Sequence, residues 1–216
     1  MCDNSSGTFD HHHHLFHQDI LVTNVKISVK LKQSWDLKDL YEHCFSKICN
    51  HVKLLGSKLV VKVPNQAKRI IIFPKKAGTP FQHINVTGIS TLDQIDKALE
   101  IAAFYLDRKK NDFLHFKIDN IWAKSDIIKK HMEQIGINSL NLKKLIAVIR
   151  ETSSKAEVAL RFCPEIFSPI IFRGYNATTL IYSTGAVVII GAKEYKTLLT
   201  IIKILEEIDI SSSCQI

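Results

Sequence analysis

The 216-residue sequence is basic, with 29 lysine and arginine residues against 21 acidic residues and a formal net charge of +8. No apolar run approaches the roughly 20 residues that cross a bilayer, and no N-terminal secretory signal is evident. Five scattered cysteines without a CxxC pair argue against a disulfide framework or a zinc knuckle. We therefore expect a soluble intracellular protein, and its positive charge favours nucleic acid or an acidic protein as a partner.

Residues 1–17 form a polar segment without an apolar period, and we expect a disordered, histidine-rich tail there. The histidines invite a metal-binding interpretation, but no second cluster of ligands elsewhere in the sequence would complete a site. We therefore predict no metal. The histidines of this segment are His11, His12, His13, His14 and His17.

The next elements follow from periodicity. In "LVTNVKISVKL", Val25, Ile27 and Val29 alternate with polar residues, which predicts a strand with one apolar face. "SWDLKDLYEHCFSKICNHV" has apolar residues at helical spacing behind Ser34 or Asp36 as N-cap, and three strand-like runs follow, "KLVVKV", "RIIIF" and "HINVTG". "STLDQIDKALEIAAFYLDRKK" begins with capping and acidic residues and ends with basic ones, as a helix does.

The order of elements then restarts. "FLHFKIDNIWAK" predicts a strand, residues 126–150 a long helical region, "RFCPEIFSPIIFRGYNATTLIYSTGAVVIIGAK" three or more strands, and "KEYKTLLTIIKILEEI" a final amphipathic helix. "VTNV" recurs as "IDNI", and "IIF" followed by "VTG" recurs as "LIY" followed by "IIG". The sequence therefore predicts a duplicated unit, with a first repeat over 18–112, a second over 113–210 and a tail over 211–216.

Five strands against two helices in each unit leave one face of the sheet uncovered. If the two sheets join edge to edge, the fold class is α+β, with a curved, ten-stranded antiparallel sheet and helices on its convex face. A broad exposed apolar area of this kind usually marks a binding site. By alternation, the open face carries Asn24, Lys26, Ser28, Ile71, Phe73, Leu180, Tyr182, Val188 and Ile190.

Over residues 19–209 the sequence resembles the TATA-box-binding protein family. The match is closest in "PEIFSPIIFRGYNATTLIYSTGAVVIIGAK", which keeps the family's Pro-Glu-Ile-Phe, aromatic-Arg, Leu-Ile-aromatic and Gly-Ala-Lys elements. "KRIIIF" with "HINVTG" is a fainter copy, and "DFLHFKIDNI" is similar to the family's second-repeat opening. The resemblance implies a saddle-shaped protein that binds and kinks the DNA minor groove with its sheet.

The resemblance also implies roles for individual polar residues. Asn24 and Asn120 would donate amide hydrogens to the minor groove, where A·T pairs present only acceptors. Arg173 and Lys193 would bind phosphates. Glu165 is similar to the family's contact for general initiation factor B, with solvated surface charge as the alternative.

The implied wedges between base steps are Phe167 and Tyr182 in the second repeat and Phe73 in the first. Family spacing from Asn24 assigns the remaining wedge to Leu59. The alternative for the three rings is core packing, and for the asparagines it is capping at strand edges. The other residues implied to line the DNA surface are Lys26, Ile71, Thr87, Trp122, Leu180, Val188 and Ile190.

Several positions depart from the family pattern. Lys26, Trp122 and Asn85 stand where the family has small apolar residues, and Ile190 replaces a threonine. The first repeat lacks the lysine of the Gly-Ala-Lys element, and Asn65 stands where an arginine is expected. The residues that could compensate are Lys62, Lys68 and Arg69.

The predicted function is that of a general transcription initiation factor. It would bind and bend A·T-rich promoter DNA and recruit general initiation factors A and B and the RNA polymerase machinery, in the nucleus or at a viral replication site. The alternative is a scaffold of the same fold that binds initiation factors with weak or no TATA binding. Because no Gly-rich phosphate loop, HExxH motif or nucleophile elbow occurs, we expect no enzymatic activity and no cofactor.

Overall fold

The chain runs through nearly the same series of strands and helices twice. The computed structural model describes residues 17–32, 34–152 and 158–211. The first repeat comprises β1 (Leu21–Leu31), α1 (Leu37–Ile48), β2 (Val52–Leu55), β3 (Lys58–Lys62), β4 (Arg69–Ile72), β5 (Gln82–Ile89) and α2 (Ile95–Tyr105). The second comprises β6 (Phe113–Ser125), α3 (Ile127–Gln134), α4 (Leu142–Thr152), β7 (Ala159–Cys163), β8 (Phe167–Gly174), β9 (Ala177–Ile181), β10 (Val187–Ala192) and α5 (Tyr195–Glu206).

All ten strands form one open, curved antiparallel sheet in the order β2-β3-β4-β5-β1-β6-β10-β9-β8-β7. The long strands β1 and β6 pair with each other at its centre and join the two repeats. Outward from this pair, the strands of each repeat follow in the same relative order. The predicted α+β fold with a ten-stranded antiparallel sheet is confirmed.

One face of the sheet packs against the helices and forms the core. Val25, Ile27 and Val29 of β1 are at most 1% exposed, because their side chains share this face by strand alternation. Aliphatic residues of the other inner strands continue the same layer, and they are Val61, Ile70, Ile72, Ile84, Val86, Ile121, Ile170, Ile181, Val187 and Ile189. The opposite surface, which we call the free face, is the candidate site.

The helix that follows β1 begins where the sequence predicts. The Asp36 carboxylate accepts a hydrogen bond of 2.8 Å from the backbone N–H of Lys38, which caps α1. On the buried side of α1, the Cys44 thiol lies 3.5 Å from the carbonyl oxygen of Tyr105 at the end of α2. Burial raises the pKa of this thiol to about 11, consistent with a role in packing.

The predicted helical region over 126–150 is two helices. Gly136 has φ +73° beyond the end of α3, and the backbone N–H of Ile137 bonds back to the Met132 carbonyl. Such a left-handed residue ends a helix. Asn141 then starts α4 by accepting a 3.2 Å hydrogen bond from the N–H of Lys144.

Two further observations bear on expectations from the sequence. β2, the sequence "VKLL", is an edge strand that periodicity did not locate, because its four residues are too few to show a period. The histidines His11 to His14 and the tail residues 212–216 lie outside the described residues. No helix within the described ranges has the length and apolarity required to cross a membrane.

Candidate nucleic-acid interface

Most of the residues predicted to contact DNA lie on the free face. Each has at least one neighbour along its strand that is buried against the helices, and alternation turns these side chains the other way. They are Asn24, Lys26, Ile71, Phe73, Thr87, Asn120, Trp122, Leu180, Tyr182, Val188 and Ile190. Each is half-buried except Trp122, which is 42% exposed. The pattern gives a largely apolar floor with two asparagines close to its centre.

The two asparagines are held by matching hydrogen bonds. The side-chain oxygen of Asn24 accepts from the backbone N–H of Gly88 at 2.8 Å, and that of Asn120 accepts from the N–H of Gly191 at 2.8 Å. Both glycines have positive φ values and lie where the ladder register shifts. A β-bulge thus leaves one backbone donor without a ladder partner, and an asparagine satisfies it.

These bonds fix the orientation of both amides. A backbone N–H can only donate, so the side-chain oxygen must face it. The NH₂ group of Asn24 and that of Asn120 are therefore the ends that can serve an outside acceptor. A surface that presents amide donors at two related points matches a groove floor made of acceptors.

Leu59 is not on the free face, and the prediction for it is wrong. It pairs with Ile72, and both side chains are fully buried under the helices. At the β2–β3 turn of the first repeat, the exposed apolar residue on the free side is Leu55, which is 50% exposed. Its counterpart at the β7–β8 turn of the second repeat is Phe167, 43% exposed.

The two inner rings lie half-buried just beyond the strands that carry them. The backbone N–H of Phe73 bonds to the His83 carbonyl at 3.1 Å, and the N–H of Tyr182 bonds to the Ala186 carbonyl at 3.0 Å. Each ring continues the free-face alternation of its strand, after Ile72 in β4 and Ile181 in β9. With Leu55 and Phe167, each repeat therefore has one apolar side chain at its outer turn and one ring further in.

Basic residues line the sheet. Arg173, exposed on β8, pairs with Thr178 near the β8–β9 turn, and Lys193 is exposed just after β10. In the first repeat Lys62 pairs with Arg69 at the end of the β3–β4 ladder, which is the place that Arg173 occupies in the second. Lys62 is therefore the structural counterpart of Arg173, whereas Asn65 lies in the turn beyond it.

A shallow depression of about 650 Å³ lies at the end of the free face in the second repeat. It extends from the β8–β9 turn to Gly191, the glycine bonded to Asn120. Arg173 and Ile190 line it together with the turn residues Tyr175 and Asn176. A cationic side chain thus stands directly beside the apolar floor.

No protein-family model matches the sequence, and no curated protein matches it. Among solved structures the chain is similar to a Methanococcus jannaschii TBP, with a TM-score of 0.60 and 20% sequence identity over 88% of this chain and 97% of that chain. The chain has the TBP fold. At this identity the likeness to TBP establishes the architecture, and the roles of individual side chains rest on their own geometry.

At the centre of the TBP-fold sheet, the chain carries an ion pair that sequence reasoning missed. The Lys26 ammonium lies 3.5 Å from one Asp119 carboxylate oxygen, and the Ser28 hydroxyl donates to the other at 3.0 Å. Lys26, which is predicted to line the DNA surface, is therefore paired with a carboxylate. Its partner Asp119 escaped notice because simple alternation along β6 assigns it to the opposite face from Asn120.

Two basic residues of β6 were also missed. Lys117 and Lys124 are exposed, and Lys124 pairs with Val188 of the free face. The signal was present in the sequence, since Lys124 lies two residues from Trp122 and therefore on the same face.

Glu165 lies exposed in the turn between β7 and β8, beside Ile166, which is 80% exposed. Both side chains are therefore accessible to solvent.

His17, the first described residue, contacts α5 on the helical side. The backbone N–H of His17 donates to the Tyr195 hydroxyl at 3.0 Å, and its ring nitrogens lie 3.7 Å from Asp19 and 3.6 Å from Glu206. These are metal-ligand types, but Lys130 pairs with the same Asp19 carboxylate. We assign the cluster as a polar contact around the Lys130–Asp19 ion pair, which ties His17, expected to belong to the tail, to the folded chain.

Proposed function

We propose that the chain binds duplex DNA by placing its free face in the minor groove and bending the duplex. The observation that carries the proposal is the paired arrangement of Asn24 and Asn120, whose amide oxygens are committed to backbone N–H groups. Each amide can then only donate outward. A·T base pairs present only acceptors, A N3 and T O2, on the minor-groove floor.

The charge of the strands supports the same partner. Lysine or arginine residues occur on seven of the ten strands. Asp119 is the one acidic residue found within the ten strands. The acidic residues of the chain are otherwise found on helices and connecting segments in the described ranges. A sheet with this charge attracts the phosphate backbone, and contacts from Lys62, Arg173 and Lys193 would hold it.

Apolar side chains at the turns provide a means of bending. Leu55 and Phe167 project at the two outer turns, and Phe73 and Tyr182 lie further in. Inserting such side chains between base steps costs a few kcal/mol of unstacking per step, which the wider contact surface of bent DNA offsets. Each repeat thus provides one pair of apolar side chains. Two such pairs suit two kinks, one at each end of a site.

The resemblance to the TATA-box-binding protein family extends the proposal to a biological role. The chain would act as a general transcription initiation factor on A·T-rich promoters, in the nucleus or at a viral replication site. Its helical side and the turn with Glu165 would receive general initiation factors A and B or their equivalents, and through them RNA polymerase. No catalytic step or cofactor forms part of this proposal.

A scaffold function is the second candidate, and Trp122 is the observation that favours it. Its exposed side chain stands on the floor where the sequence resemblance expects a small apolar residue. A bulky ring there could keep a duplex from seating. In that case the chain would hold initiation factors without strong DNA binding.

The two candidates differ in their salt dependence. We expect wild-type protein to bind an A·T-rich duplex with a log–log slope of the association constant against salt of about −0.9 per neutralised phosphate. Fluorescence anisotropy between about 50 and 200 mM salt measures the slope, and energy transfer between dyes at the duplex ends measures bending. Negligible affinity at low salt would contradict DNA binding and favour the scaffold, and tight binding without bending would contradict the wedge roles.

A further inference from the structure

Asp119 carries a negative charge, whereas the other charged residues on the strands are positive. It is the one acidic residue on the ten strands of the described chain, and it lies at the centre of the sheet on β6. The strands otherwise carry positive charge, and their basic residues are Lys26, Lys30, Lys53, Lys58, Lys62, Arg69, Lys117, Lys124, Arg161 and Arg173. A carboxylate repels phosphates, so its place on this basic surface suggests a hydrogen-bond donor as its partner.

A β-bulge turns Asp119 onto the free face. In the ladder with β1, Lys26 pairs with Asn120 and Ile27 with Ile118, so Asp119 is an extra residue without a partner. Ile118 packs against the core, which places it on the helical side. At a bulge two successive residues oppose one on the partner strand, and Asp119 therefore joins Asn120 on the free face.

The network around Asp119 holds the carboxylate in place. Ser28 Oγ donates to Oδ1 at 3.0 Å, and Lys26 Nζ lies 3.5 Å from Oδ2. Both partners project from the free face of β1, because Val25, Ile27 and Val29 between and beside them are buried. The Lys26 ammonium offsets the negative charge, so the carboxylate can sit near phosphates with less repulsion.

The first repeat has a threonine at the equivalent bulge. Thr23 is the extra residue of β1 between Val22 and Asn24 in the same ladder, and it immediately precedes Asn24 as Asp119 precedes Asn120. The Thr23 hydroxyl donates to the backbone carbonyl of Trp122 at 3.2 Å. The two halves of the floor are thus alike in backbone, but one carries a charged carboxylate and the other a neutral hydroxyl, which is a weaker acceptor.

This acceptor has one natural ligand in a minor groove. A carboxylate offers about four lone-pair positions, of which Ser28 and Lys26 take one each, and the Asp119 side chain remains 27% exposed. A·T pairs present only acceptors on the groove floor, whereas a G·C pair adds the guanine 2-amino donor. We propose that Asp119 is a specificity-determining residue that accepts a hydrogen bond from a guanine 2-amino group.

The inference rests on the proposed function, because it requires a duplex whose minor groove is seated on the free face. It also departs from a uniform preference for A·T pairs. The half of the site under the second repeat would take a G·C pair beside the step contacted by Asn120. The half under the first repeat, with the weaker, uncharged acceptor of Thr23, would have a smaller preference.

The test compares guanine with inosine, which pairs with cytosine but lacks the 2-amino group. Sites enriched by wild-type protein from a randomised duplex pool are resynthesised with each guanine replaced singly by inosine, and Kd is measured by anisotropy. We expect one position at which inosine weakens wild-type binding about tenfold, the size of one discriminating base contact. Thermal melts confirm that each variant is folded.

Matched variants assign the effect to the carboxylate. Asp119→Thr copies the residue that the chain already accommodates at the equivalent bulge, and we expect its inosine penalty to fall below about twofold. Thr23→Asp should create a second inosine-sensitive position in the other half-site. Asp126→Asn, an exposed carboxylate directly after β6, should behave as wild type.

The outcomes separate this inference from the function on which it rests. Duplex binding with no inosine-sensitive position, or with an equal penalty in Asp119→Thr, would overturn the role of Asp119 and leave DNA binding intact. Failure of the wild-type protein to bind any duplex would overturn the proposed function and the inference together. The Ser28→Ala variant tests how the Asp119 carboxylate is held. If its inosine penalty is lost, Ser28 positions the carboxylate, and if the penalty is unchanged, Lys26 is the main support.

Discussion

The two repeats share their β-bulges and the hydrogen bonds that satisfy them, and they differ in the side chains on the free face. Asn24 with Gly88 and Asn120 with Gly191 form the same 2.8 Å hydrogen bond at the same kind of bulge. These contacts satisfy a backbone donor, and a change in either partner leaves that donor unpaired. The lesson is that positions constrained by main-chain hydrogen bonding stay alike, even where the duplicated sequences have diverged.

The side chains that face outward are under no such constraint. Lys26 of the first repeat and Trp122 of the second both lie two residues beyond their asparagine, yet one is cationic and the other aromatic. At the outer turns, Leu55 faces out in one repeat and Phe167 in the other. The molecule therefore presents an asymmetric surface on a nearly symmetric frame, which would give a bound duplex a defined direction.

The largest difference that we predict between the repeats concerns their bulge glycines. An added Cβ at Gly88 would lie 2.7 Å from the backbone carbon of Ala67 and 2.9 Å from Lys68 Cα, whereas at Gly191 it would meet no atom within 4 Å. Both residues have positive φ, which costs a non-glycine residue about 1–2 kcal/mol. We expect the Gly191→Ala substitution to lower the free energy of unfolding by about that amount. The Gly88→Ala substitution should lower it by a further 1–3 kcal/mol or so because of overpacking.

Urea unfolding of the two variants measures the difference directly. The backbone of residues 67 and 68 cannot move aside as a flexible side chain can, so the clash should persist in the folded state. Equal losses for the two variants would show that the turn between β3 and β4 yields, and that the two bulges are equivalent in packing as well as in hydrogen bonding.

The next largest effect concerns DNA affinity, and it distinguishes the role of the amide oxygen of each asparagine from that of its NH₂ group. In the double variant Asn24→Asp with Asn120→Asp, an oxygen still accepts from each glycine N–H, but the outward donor becomes an acceptor with negative charge. We expect binding to an A·T-rich duplex to weaken about 100-fold or more, since each contact contributes about 1–3 kcal/mol of discrimination. Anisotropy titration gives the affinity, and circular dichroism confirms the fold.

The double alanine variant is the matched control. It removes the acceptor as well, so each glycine N–H is left unsatisfied at a cost of about 1–3 kcal/mol in unfolding free energy. Stability should therefore fall in the alanine variant and stay near wild type in the aspartate variant, while both lose affinity. Wild-type affinity in the aspartate variant would remove the amides from the interface.

A smaller effect distinguishes the outer wedges. A ring that stacks on a base contributes about 1–3 kcal/mol on truncation to alanine, and an aliphatic side chain has no ring to stack. We expect Phe167→Ala to weaken binding about tenfold and to reduce bending, and Leu55→Ala to do less. Leu55→Phe should increase the bend measured by end-to-end energy transfer.

Leu59→Ala provides the contrast for this pair. Leu59 is fully buried, so its truncation should destabilise the fold by about 2–5 kcal/mol without a specific effect on bending. If bending responded to Leu59 and not to Leu55, the register of β3 on the free face would be wrong.

The misassignment of Leu59 shows where sequence reasoning stopped. A fixed spacing from Asn24 counts residues, whereas the face of a strand residue depends on its pairing register, and a slip of one residue reverses the face. The segment between Asn24 and Leu59 contains α1, β2 and the β2–β3 turn, so a residue count across it does not fix the register of β3. The α+β fold class was predictable because the order of strands and helices is repeated within the sequence.

Asp119 illustrates the second limit. Its face depends on a bulge that arises from the match between β1 and β6, two strands that the sequence separates widely. Nothing within "KIDNI" reveals that Asp119 and Asn120 point the same way. The association of His17 with Glu206 has the same origin, since a contact between the two ends of the chain leaves no periodic trace.

The smallest predicted difference concerns one phosphate contact. The second repeat has exposed Lys193 after β10, and the first has Ser90 at the corresponding place after β5. Each phosphate neutralised contributes about −0.9 to the log–log slope of affinity against salt. Lys193→Ala should therefore make the slope shallower by about 0.9, and Ser90→Lys should make it steeper by about the same amount. The double variant should return to the wild-type slope with the contact moved to the other repeat, and an unchanged slope in Lys193→Ala would leave Lys193 as a solvated surface charge.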